Sequence, residues 1–370
     1  MSMTAKMIDL TTALPPSPSE FDEELRATLL RLARRPMFGA ELRKNRVGGS
    51  GQDRHGGAQW LAGRLGRDLD VERVTVTNGT QSALLLLLPA IVGQGGVLAA
   101  ESLTYVVLRT LAARVGIKMV GVELDEEGIV PEHFEQVCRS HRPRALYCNP
   151  TVHNPTAAVM SERRRLEVIE VARRHNVTLI EDDVLGAVHP EAPAPLSVLA
   201  PEITWYIMSL SKCYAMGLRL AYLVSPSAAA TRELVEPVQR LSWWFPNSLG
   251  VEIATQWALS GSGRRVAAAL RGETDARQRI AAELMDMTHI RTAPGALHLW
   301  VKLPVRCSPM AFADAAKERG VLVRPADLFA IDAVGKRDAV RVSLTAPASR
   351  EELRAGLSIV AELLTDVRGS

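Results

Sequence analysis

Short apolar runs alternate with segments of helical periodicity over the middle of the chain. The apolar runs are VTVTNG, GVLAAE, KMVGVEL, RALYCNP, VTLIEDD, ITWYIMSLS and LRLAYLVSP, beginning at Val74 and ending at Pro226. Between them, apolar residues recur at the three- and four-residue spacing of amphipathic helices. This alternation is typical of an α/β layer. The pattern therefore predicts an α/β fold with a mainly parallel, seven-stranded sheet between helices.

The order of elements changes toward both ends of the chain. Ser19 to Asp22 resembles a capping box and predicts a helix to about Arg34, whereas the glycine-rich stretch 48–57 predicts a loop. From about Gly263 the predicted elements are a helix through Met287, the strand LHLWVKLP, a helix from Pro309 to Arg319, the runs VLVRP and AVRVSL, and a last helix opened by a capping box at Ser349 to Glu352. We therefore expect an arm and helix over 1–47 that pack with a small domain, a large domain over 48–262, and a small α+β domain over 263–370.

Composition narrows the class of protein only moderately. The 370 residues include 44 basic and 41 acidic ones, a balance that favours neither an acidic nor a nucleic-acid partner. The arginine-rich segments carry apolar residues at helical spacing, which is typical of solvated helix faces.

The run ALLLLLPAIV is about half the length of a membrane span, and the N-terminus has no signal-type apolar segment. Four cysteines without paired spacing indicate a reducing compartment and no metal site. We expect a cytoplasmic protein with no nucleic-acid or membrane partner.

The stretch SLSKCYAMGLR, residues 209–219, raises the first question of chemistry. It places Lys212 beside Ser209 and Ser211 at the end of an apolar run, and Arg219 follows after a glycine. One interpretation is a strand end at which a lysine reaches water. The other is a lysine that bonds covalently to a cofactor whose anionic group Arg219 holds. The stretch alone does not decide between them.

Polar residues also follow other predicted strands at their carboxyl ends. In open parallel sheets, ligands bind at this edge. Asn78 to Gln81 would form a glycine turn at a helix start, where backbone N–H groups suit a phosphate, although the P-loop lysine and the dinucleotide glycine spacing are missing. Glu181 to Asp183 end a buried strand and could pair with arginines, hold a metal, or serve a cofactor. In the stretch 149–156, the prolines predict a fixed loop in which Asn154 is either a turn residue or a ligand.

Together, these motifs resemble one family. The chain resembles the fold type I pyridoxal-phosphate enzymes. The resemblance is carried by four motifs: the NGTQ helix start, the NPT loop, the EDD strand end and SxSKxxxxGLR. More narrowly, the chain from about residue 60 onward resembles class I/II aminotransferases and the aminotransferase-like domain of MocR-type regulators. The resemblance implies a large domain that binds pyridoxal 5'-phosphate, a smaller α+β domain, and a homodimer whose sites are shared between subunits.

The resemblance also implies roles for the residues that carry chemistry. Lys212 would form the Schiff base with the cofactor and carry the proton between the substrate Cα and the cofactor. Asp182 would keep the pyridine nitrogen protonated, so that the ring acts as an electron sink. Asn154 would bind the phenolic oxygen of the cofactor and contribute to the substrate site.

The remaining implied roles concern binding. The phosphate would be held by Arg219, Ser209 and the backbone amides of Gly79, Thr80 and Gln81. Tyr105 would stack on the pyridine ring, or else be an ordinary half-buried tyrosine. Arg341, in AVRVSLTAP, would clamp the α-carboxylate of the substrate, or else be a strand arginine paired with a surface acid.

The chain departs from the family pattern at three places. Leu185 stands where a tyrosine usually donates to the cofactor's phenolic oxygen, and Met216 stands where a proline is common. The stretch from Gly48 to Gly66 is shorter than the family region that usually carries a Gly-Tyr-Gly-Asp sequence. These departures leave the lysine, aspartate and arginines in place.

Two classes of function follow from the sequence. The first is an aminotransferase that moves an amino group from an α-amino acid to a 2-oxo acid through the pyridoxamine form. A lyase or decarboxylase reaction at the same site belongs to this class as an alternative. The second is a non-catalytic MocR-like sensor module. The fewer than 50 residues before the glycine-rich stretch are too few for a winged-helix domain, which favours the enzyme, although a partner chain could carry the DNA-binding part. The aromatic residues of LSWWFPNS, Trp243 to Phe245, would line the substrate pocket or form the core of a dimer interface.

Overall fold

The computed structural model describes residues 7–66, 68–189, 191–335 and 337–369. Its strands, numbered in chain order, are β1 Ile8–Asp9, β2 Val74–Thr77, β3 Val97–Glu101, β4 Lys118–Val122, β5 Ala145–Cys148, β6 Thr178–Asp182, β7 Thr204–Ser209, β8 Ala221–Val224, β9 Ile290–Arg291, β10 His298–Lys302, β11 Val321–Leu322, β12 Arg324–Pro325 and β13 Ala339–Ser343.

Helices occupy much of the remaining chain. The α-helices are α1 Ser19–Arg34, α2 Phe38–Glu41, α3 Gly51–Leu65, α4 Thr80–Leu87, α5 Val106–Arg114, α6 Pro131–His141, α7 Glu162–Arg174, α8 Leu196–Leu199, α9 Ala228–Val235, α10 Ser248–Ser260, α11 Ser262–Leu284, α12 Pro309–Glu318 and α13 Arg350–Gly369. A π-helical segment, Leu88–Val92, continues α4. Short 3₁₀ turns lie at Val71–Arg73, Met216–Leu218, Glu236–Val238, Ser242–Trp244, Met287–His289 and Ala326–Phe329.

The large sheet has the architecture that the apolar pattern predicts. Within the described residues, its seven strands lie in the order β2-β8-β7-β6-β5-β3-β4, and β8 runs against the other strands. Both faces are buried, because successive strand residues enter different apolar clusters. Leu146 and Cys148 of β5 pack on one side, and Ala145 and Tyr147 pack on the other. Continuous apolar runs suit such a two-sided sheet. The prediction of a mainly parallel, seven-stranded sheet is confirmed.

A smaller antiparallel sheet follows, in the order β12-β13-β10-β9. Its apolar cluster includes Leu299, Val301 and Val340 and packs against α11, α12 and α13. The N-terminal arm joins this region, since β1 pairs with β11 in parallel and Leu10 is fully buried in the same cluster.

Helix α1 packs against α10 and the first half of α11, whereas the second half of α11 packs on the small sheet. Phe21 contacts Trp257 edge to face with ring centroids 5.8 Å apart, and Trp257 donates through its Nε1 to the hydroxyl of Thr28. The arm and α1 therefore contact different parts of the molecule. The domain limits at residues 47 and 262 remain a prediction.

The glycine-rich stretch that predicted a loop begins a helix instead, so that prediction was wrong. Ser50 accepts from the backbone N–H of Asp53, whose carboxylate accepts in return from the Ser50 N–H, a capping box that opens α3. A Cβ on Gly57 would lie 2.7 Å from the ring of Tyr222, and one on Gly56 would lie 3.3 Å from Thr255. These glycines permit close packing of a helix, although their composition is typical of loops.

The two predicted capping boxes had different outcomes. Helix α1 does begin at Ser19, but its N-cap position is Pro18 and no side chain caps it, so the box predicted there was wrong. At α13, the hydroxyl of Ser349 accepts from the N–H of Glu352, as predicted, while the Glu352 carboxylate accepts from the N–H of Ala348. A serine caps only when it precedes the first helical residue. Over the described residues, none of the helices has the length and apolarity to cross a lipid bilayer.

Candidate active site

A cavity of about 340 Å³ lies where the carboxyl ends of the large sheet meet the small sheet and the N-terminal arm. Its volume suits a small organic ligand. The sequence-predicted site residues all line this cavity: Gly79, Thr80, Gln81, Tyr105, Asn154, Asp182, Ser209, Lys212, Arg219 and Arg341. Residues far apart in the chain thus meet in one place, as the rule for parallel sheets predicts. Their individual roles remain predictions.

Lys212 follows β7 and points its amine into the cavity. The Nζ donates to the backbone carbonyl of Ala13 in the arm. Burial lowers the pKa of this amine to about 8, and the positive charge of Arg341 acts in the same direction, whereas Asp182 opposes them. A lysine with a pKa in this range is neutral often enough near physiological pH to act as a nucleophile or a base.

Asp182 ends β6 and is almost fully buried. Its Oδ2 accepts a hydrogen bond of 2.7 Å from the hydroxyl of Tyr147 on β5. Within the described residues, its Oδ1 is buried with no hydrogen-bond partner. Burial raises the pKa of Asp182 to about 7, although the Tyr147 hydrogen bond lowers it. A buried carboxylate oxygen without a donor is costly and marks a place for a cationic or N–H group.

The acids on either side of Asp182 have structural partners instead. Glu181 accepts from the backbone N–H groups of Leu196 and Ser197, and its carboxylate lies 3.5 Å from Arg165. Asp183 accepts from Tyr206 and Arg64. Neither of these acids lines the cavity. Of the three acids in the EDD motif, only Asp182 is therefore placed for chemistry, and the arginine-pairing interpretation holds for its neighbours.

One end of the cavity is suited to an anion. Gly79 precedes α4 with a φ of 82°, and no side chain caps the helix, so its first N–H groups face the cavity. Arg219 adopts the left-handed region, with φ 51°, where the chain turns from the lysine loop into β8. The hydroxyls of Ser209 and Ser211 are 2.9 Å apart beside it. Backbone amides, hydroxyls and a guanidinium are the usual ligands of a phosphate group.

An aromatic ring also borders the cavity. The hydroxyl of Tyr105 accepts from Nε2 of Gln81 at 3.0 Å, which links the start of α5 to the start of α4. Burial raises the pKa of this phenol above its usual value. Tyr105 is thus a neutral ring held in place by a hydrogen bond, as a stacking role requires.

A hydrogen bond joins Arg341, on the small sheet, to Asn154, in a loop of the large domain. The Nη1 of Arg341 donates to Oδ1 of Asn154, and its Nη2 donates to the backbone carbonyl of Thr11, both at 2.6 Å. The guanidinium lies over the ring of Phe329, 4.9 Å from its centre. No carboxylate of the described residues is within ion-pair distance of Arg341. The interpretation of Arg341 as a strand arginine paired with a surface acid is therefore not supported.

Several cavity residues were missed in the sequence. Tyr147 lies inside an apolar strand run, where its pattern does not differ from that of a core residue. Asn149, at the end of β5, accepts from the N–H of Asn154 and donates to the carbonyl of Asp182, so it positions both. His298 and Arg324 come from the small sheet. Of these residues, Asn149 alone could have been predicted from the sequence, because it is a polar residue at the carboxyl end of a predicted strand, as Asp182 is.

The aromatic residues at 243–245 do not line this cavity. Trp244 is fully buried in a cluster below α4 and donates through Nε1 to the carbonyl of Val238, so it belongs to the core of the large domain. Trp243 is 46% exposed. The cavity of the single chain does not support the pocket interpretation, and the dimer interpretation stays a prediction. Among the described residues, no group of three or more His, Cys, Asp or Glu side chains is arranged to hold a metal ion.

Comparison with known proteins identifies the family and the fold of the chain. Residues 49–360 match the sequence model of the aminotransferase class I and II family. The chain belongs to this family. The crystal structure of a Pyrococcus horikoshii kynurenine aminotransferase aligns with a TM-score of 0.86 at 22% identity, covering 98% of this chain and 92% of that one. The α-aminoadipate aminotransferase LysN of Thermus thermophilus, complexed with N-(5'-phosphopyridoxyl)-L-leucine, aligns with a TM-score of 0.83 at 23% identity, covering 98% and 93%.

A sequence relative points to a second kind of family member. The uncharacterized HTH-type transcriptional regulator YdeF of Bacillus subtilis is 28% identical over 310 residues, covering 83% of this chain and 66% of the regulator. For two further regulators of that organism, the chain spans 61% and 60% of their length. The chain therefore spans only about two thirds or less of the length of these regulators.

Membership of the aminotransferase family implies pyridoxal 5'-phosphate as the cofactor, and the cavity fits it. The orphaned Oδ1 of Asp182 is an acceptor for a protonated ring nitrogen. The start of α4, with Arg219 and Ser209, offers donors for the phosphate. Lys212 supplies an amine of lowered pKa for the aldehyde. Because Oδ1 of Asn154 is engaged by Arg341, its Nδ2 is left to donate to the phenolic oxygen.

Proposed function

We propose that this protein is a pyridoxal-phosphate-dependent aminotransferase, which moves an amino group from an α-amino acid to a 2-oxo acid. The observation that carries the proposal is the meeting of Lys212, Asp182 and Arg341 in one cavity. Such a reaction needs three groups, and the described residues supply them. They are an amine of lowered pKa, a carboxylate with an oxygen that accepts no hydrogen bond, and a buried guanidinium that has no acidic partner among these residues.

The proposed roles follow from what each side chain can do. The cofactor supplies an electron sink for negative charge that develops at the substrate Cα. Asp182 keeps the proton on the ring nitrogen, because its ionised form is stable beside a cation. Lys212 Nζ takes the proton from Cα and returns one during the reaction, and its lowered pKa favours both transfers near neutral pH.

Arg341 would orient the substrate. Its guanidinium donates to two neutral oxygens, the Asn154 side chain and the Thr11 carbonyl, and a substrate carboxylate is a stronger acceptor than either. A carboxylate bound here would displace the Thr11 carbonyl and fix the direction of the Cα–H bond. The arm residues Thr11 to Ala13 would therefore move when the substrate enters.

The test is a screen of amino acids with the cofactor-loaded protein. Each amino acid, labelled with ¹⁵N, is incubated with a set of 2-oxo acids, and mass spectrometry detects the label in the new amino acid. We expect transfer by the parent protein and none by Lys212→Ala. Release of carbon dioxide or of a side-chain fragment without label transfer would instead indicate a decarboxylase or lyase.

A second candidate function is a ligand-sensing module without turnover, which the similarity to HTH-type regulators favours. Such a module would bind the cofactor and amino acids with a change in absorbance, yet release no 2-oxo acid. The same screen distinguishes the two functions, because both kinds of product are measured in one sample.

We propose in addition that the protein is a cytoplasmic homodimer. The family resemblance supports the dimer, and four free cysteines agree with a reducing compartment. Sedimentation equilibrium of the loaded protein measures the mass of the assembly, and a monomer at micromolar concentration would contradict the dimer.

A further inference from the structure

A second arginine, Arg324, lies next to Arg341 on the neighbouring strand of the small sheet. Strand β12 pairs with β13 in antiparallel register, and Arg324 lies directly opposite Arg341. Opposite residues of an antiparallel pair project from the same face, with Cβ atoms roughly 4.5–5.5 Å apart. Both side chains line the same cavity. The small sheet therefore presents two neighbouring guanidinium groups to the site.

Among the described residues, the side chain of Arg324 has no acidic or hydrogen-bonding partner. Its Nε is buried without a hydrogen bond, and over the described residues its guanidinium forms neither a hydrogen bond nor an ion pair. Other arginines of the small domain differ in this respect. Arg277, for example, is buried but donates to Glu273 and to the carbonyls of Leu344 and Pro347.

The juxtaposition is electrostatically unfavourable as it stands. Like charges directly opposite on a sheet repel each other. Burial lowers the pKa of Arg341 to about 9, and the charge of Arg324 is the next cause, opposed by Asp9. The Asp9 carboxylate itself accepts from Thr11 and Thr12 in the arm. Anionic groups bound at both guanidiniums would offset the repulsion, whereas one carboxylate on Arg341 leaves Arg324 unmatched.

The depths of the two arginines differ. Arg341 is 6% exposed and is fixed by Asn154, which is itself placed by Asn149. Arg324 is only partly buried. The deeper and better fixed guanidinium suits the α-carboxylate, whose position decides the chemistry. The shallower one suits a group at the far end of the same molecule.

We propose that Arg324 binds the distal carboxylate of the substrate, so that the enzyme prefers dicarboxylic amino acids and 2-oxo acids such as those of the aspartate and glutamate type. This inference rests on the proposed function, in which Arg341 takes the α-carboxylate. Arg324 is then a specificity-determining residue. An apolar or aromatic amino acid would leave its guanidinium without an anion in a partly dry cavity.

The experiment measures binding of two unreactive probes to the cofactor-loaded protein by titration calorimetry. The probes are glutarate and the monocarboxylate of the same chain length, valerate. The parent protein is expected to bind glutarate more tightly. Arg324→Gln is expected to weaken glutarate binding roughly ten- to a hundredfold and to leave valerate unchanged, because only the dicarboxylate loses a charged contact. Arg324→Lys keeps the charge and is expected to restore part of the preference.

Arg354→Gln is the matched control, since Arg354 of α13 carries the same charge in an exposed ion pair with Glu283 of α11. It should bind both probes as the parent does. Equal weakening of glutarate and valerate by Arg324→Gln would assign Arg324 to the α-carboxylate or to the fold and overturn the proposal. Unchanged binding of glutarate would overturn it as well.

The test of Arg324 can fail independently of the test of the proposed aminotransferase activity. If label transfer occurs but the variant does not alter the probe preference, only the inference about Arg324 fails. If no amino acid transfers its label and glutarate binding still depends on Arg324, the proposed activity fails and the dicarboxylate site remains.

Discussion

The hydroxyl of Tyr147 donates a 2.7 Å hydrogen bond to Oδ2 of Asp182, and the other oxygen of that carboxylate has no partner among the described residues. Both side chains are buried in adjacent strands of the large sheet. The hydrogen bond fixes the carboxylate and directs its vacant oxygen toward the cavity. It also lowers the pKa of Asp182, against the effect of burial.

Tyr147→Phe is expected to weaken cofactor binding. Without the phenol donor the pKa of Asp182 rises further, so the ionised form, which we propose pairs with the ring nitrogen, is lost at a higher pH. The pH below which affinity for pyridoxal phosphate falls should therefore move upward. Fluorescence titrations from pH 5 to 9 measure this shift. The buried acceptor left behind should also cost about 1–3 kcal/mol in the free energy of unfolding.

Tyr206→Phe is the matched control for that variant. Tyr206 is equally buried in the same sheet and donates at 2.8 Å to Asp183, which does not line the cavity. We expect a comparable loss in the free energy of unfolding with an unchanged pH profile of cofactor binding. If both variants shift that profile alike, Tyr147 acts through the stability of the sheet and not through Asp182.

Lys212 is expected to capture the cofactor with a pH midpoint near 8. Only the neutral amine attacks the aldehyde, and burial and the Arg341 charge hold the pKa of Lys212 well below that of an ordinary lysine. The rate should rise with pH and level off above the midpoint. Borohydride trapping at timed intervals, with mass spectrometry of the Lys212 peptide, gives the rate at each pH.

The same measurement tests the cause of the lowered pKa. Arg341→Gln removes a nearby positive charge and should move the midpoint to higher pH, whereas Arg277→Gln, which removes a buried charge outside the cavity, should not. A midpoint near 10 in the parent protein would contradict the burial of the amine. Trapped cofactor on a peptide other than that of Lys212 would contradict the assignment of the lysine.

Leu185→Tyr is expected to alter the titration of the bound cofactor. Leu185 lines the cavity and is 5% exposed. The family resemblance in the sequence leads us to expect a tyrosine at this position. A phenol there would donate to the cofactor's phenolic oxygen and stabilise its deprotonated form, so the pH midpoint of the cofactor's absorbance change should fall. Leu185→Phe adds the ring without the hydroxyl. An equal shift in the phenylalanine variant would show that ring bulk, and not the hydrogen bond, is responsible.

The sequence contained most of the information on the fold, because buried parallel strands are continuous apolar runs that stand out between helices. The combined motifs and the family resemblance also indicated Asp182 and Lys212. Position at a strand end alone would not have done so, because Glu181 and Asp183 lie at the same strand end and have structural partners. The sequence could not indicate Tyr147, because an aromatic residue within an apolar run has the same pattern whether it fills the core or donates to a carboxylate. The register that sets Arg324 opposite Arg341 depends on a strand of two residues, which no periodicity reveals.

Arg341→Ala is expected to separate substrate binding from cofactor binding. A charged contact of this kind contributes about 1.5–3 kcal/mol, so its loss should lower kcat/KM roughly ten- to a hundredfold for every amino acid that reacts. Affinity for pyridoxal phosphate should be retained, because the residues proposed to hold the phosphate belong to the large domain and not to the small sheet. Arg277→Ala, which also removes a buried arginine of the small domain, should lower the unfolding temperature without this effect. Stopped-flow absorbance of the single half-reaction measures both variants, and an Arg341→Ala protein that reacts as fast as the parent would place the α-carboxylate on a different residue, with Arg324 the first to test.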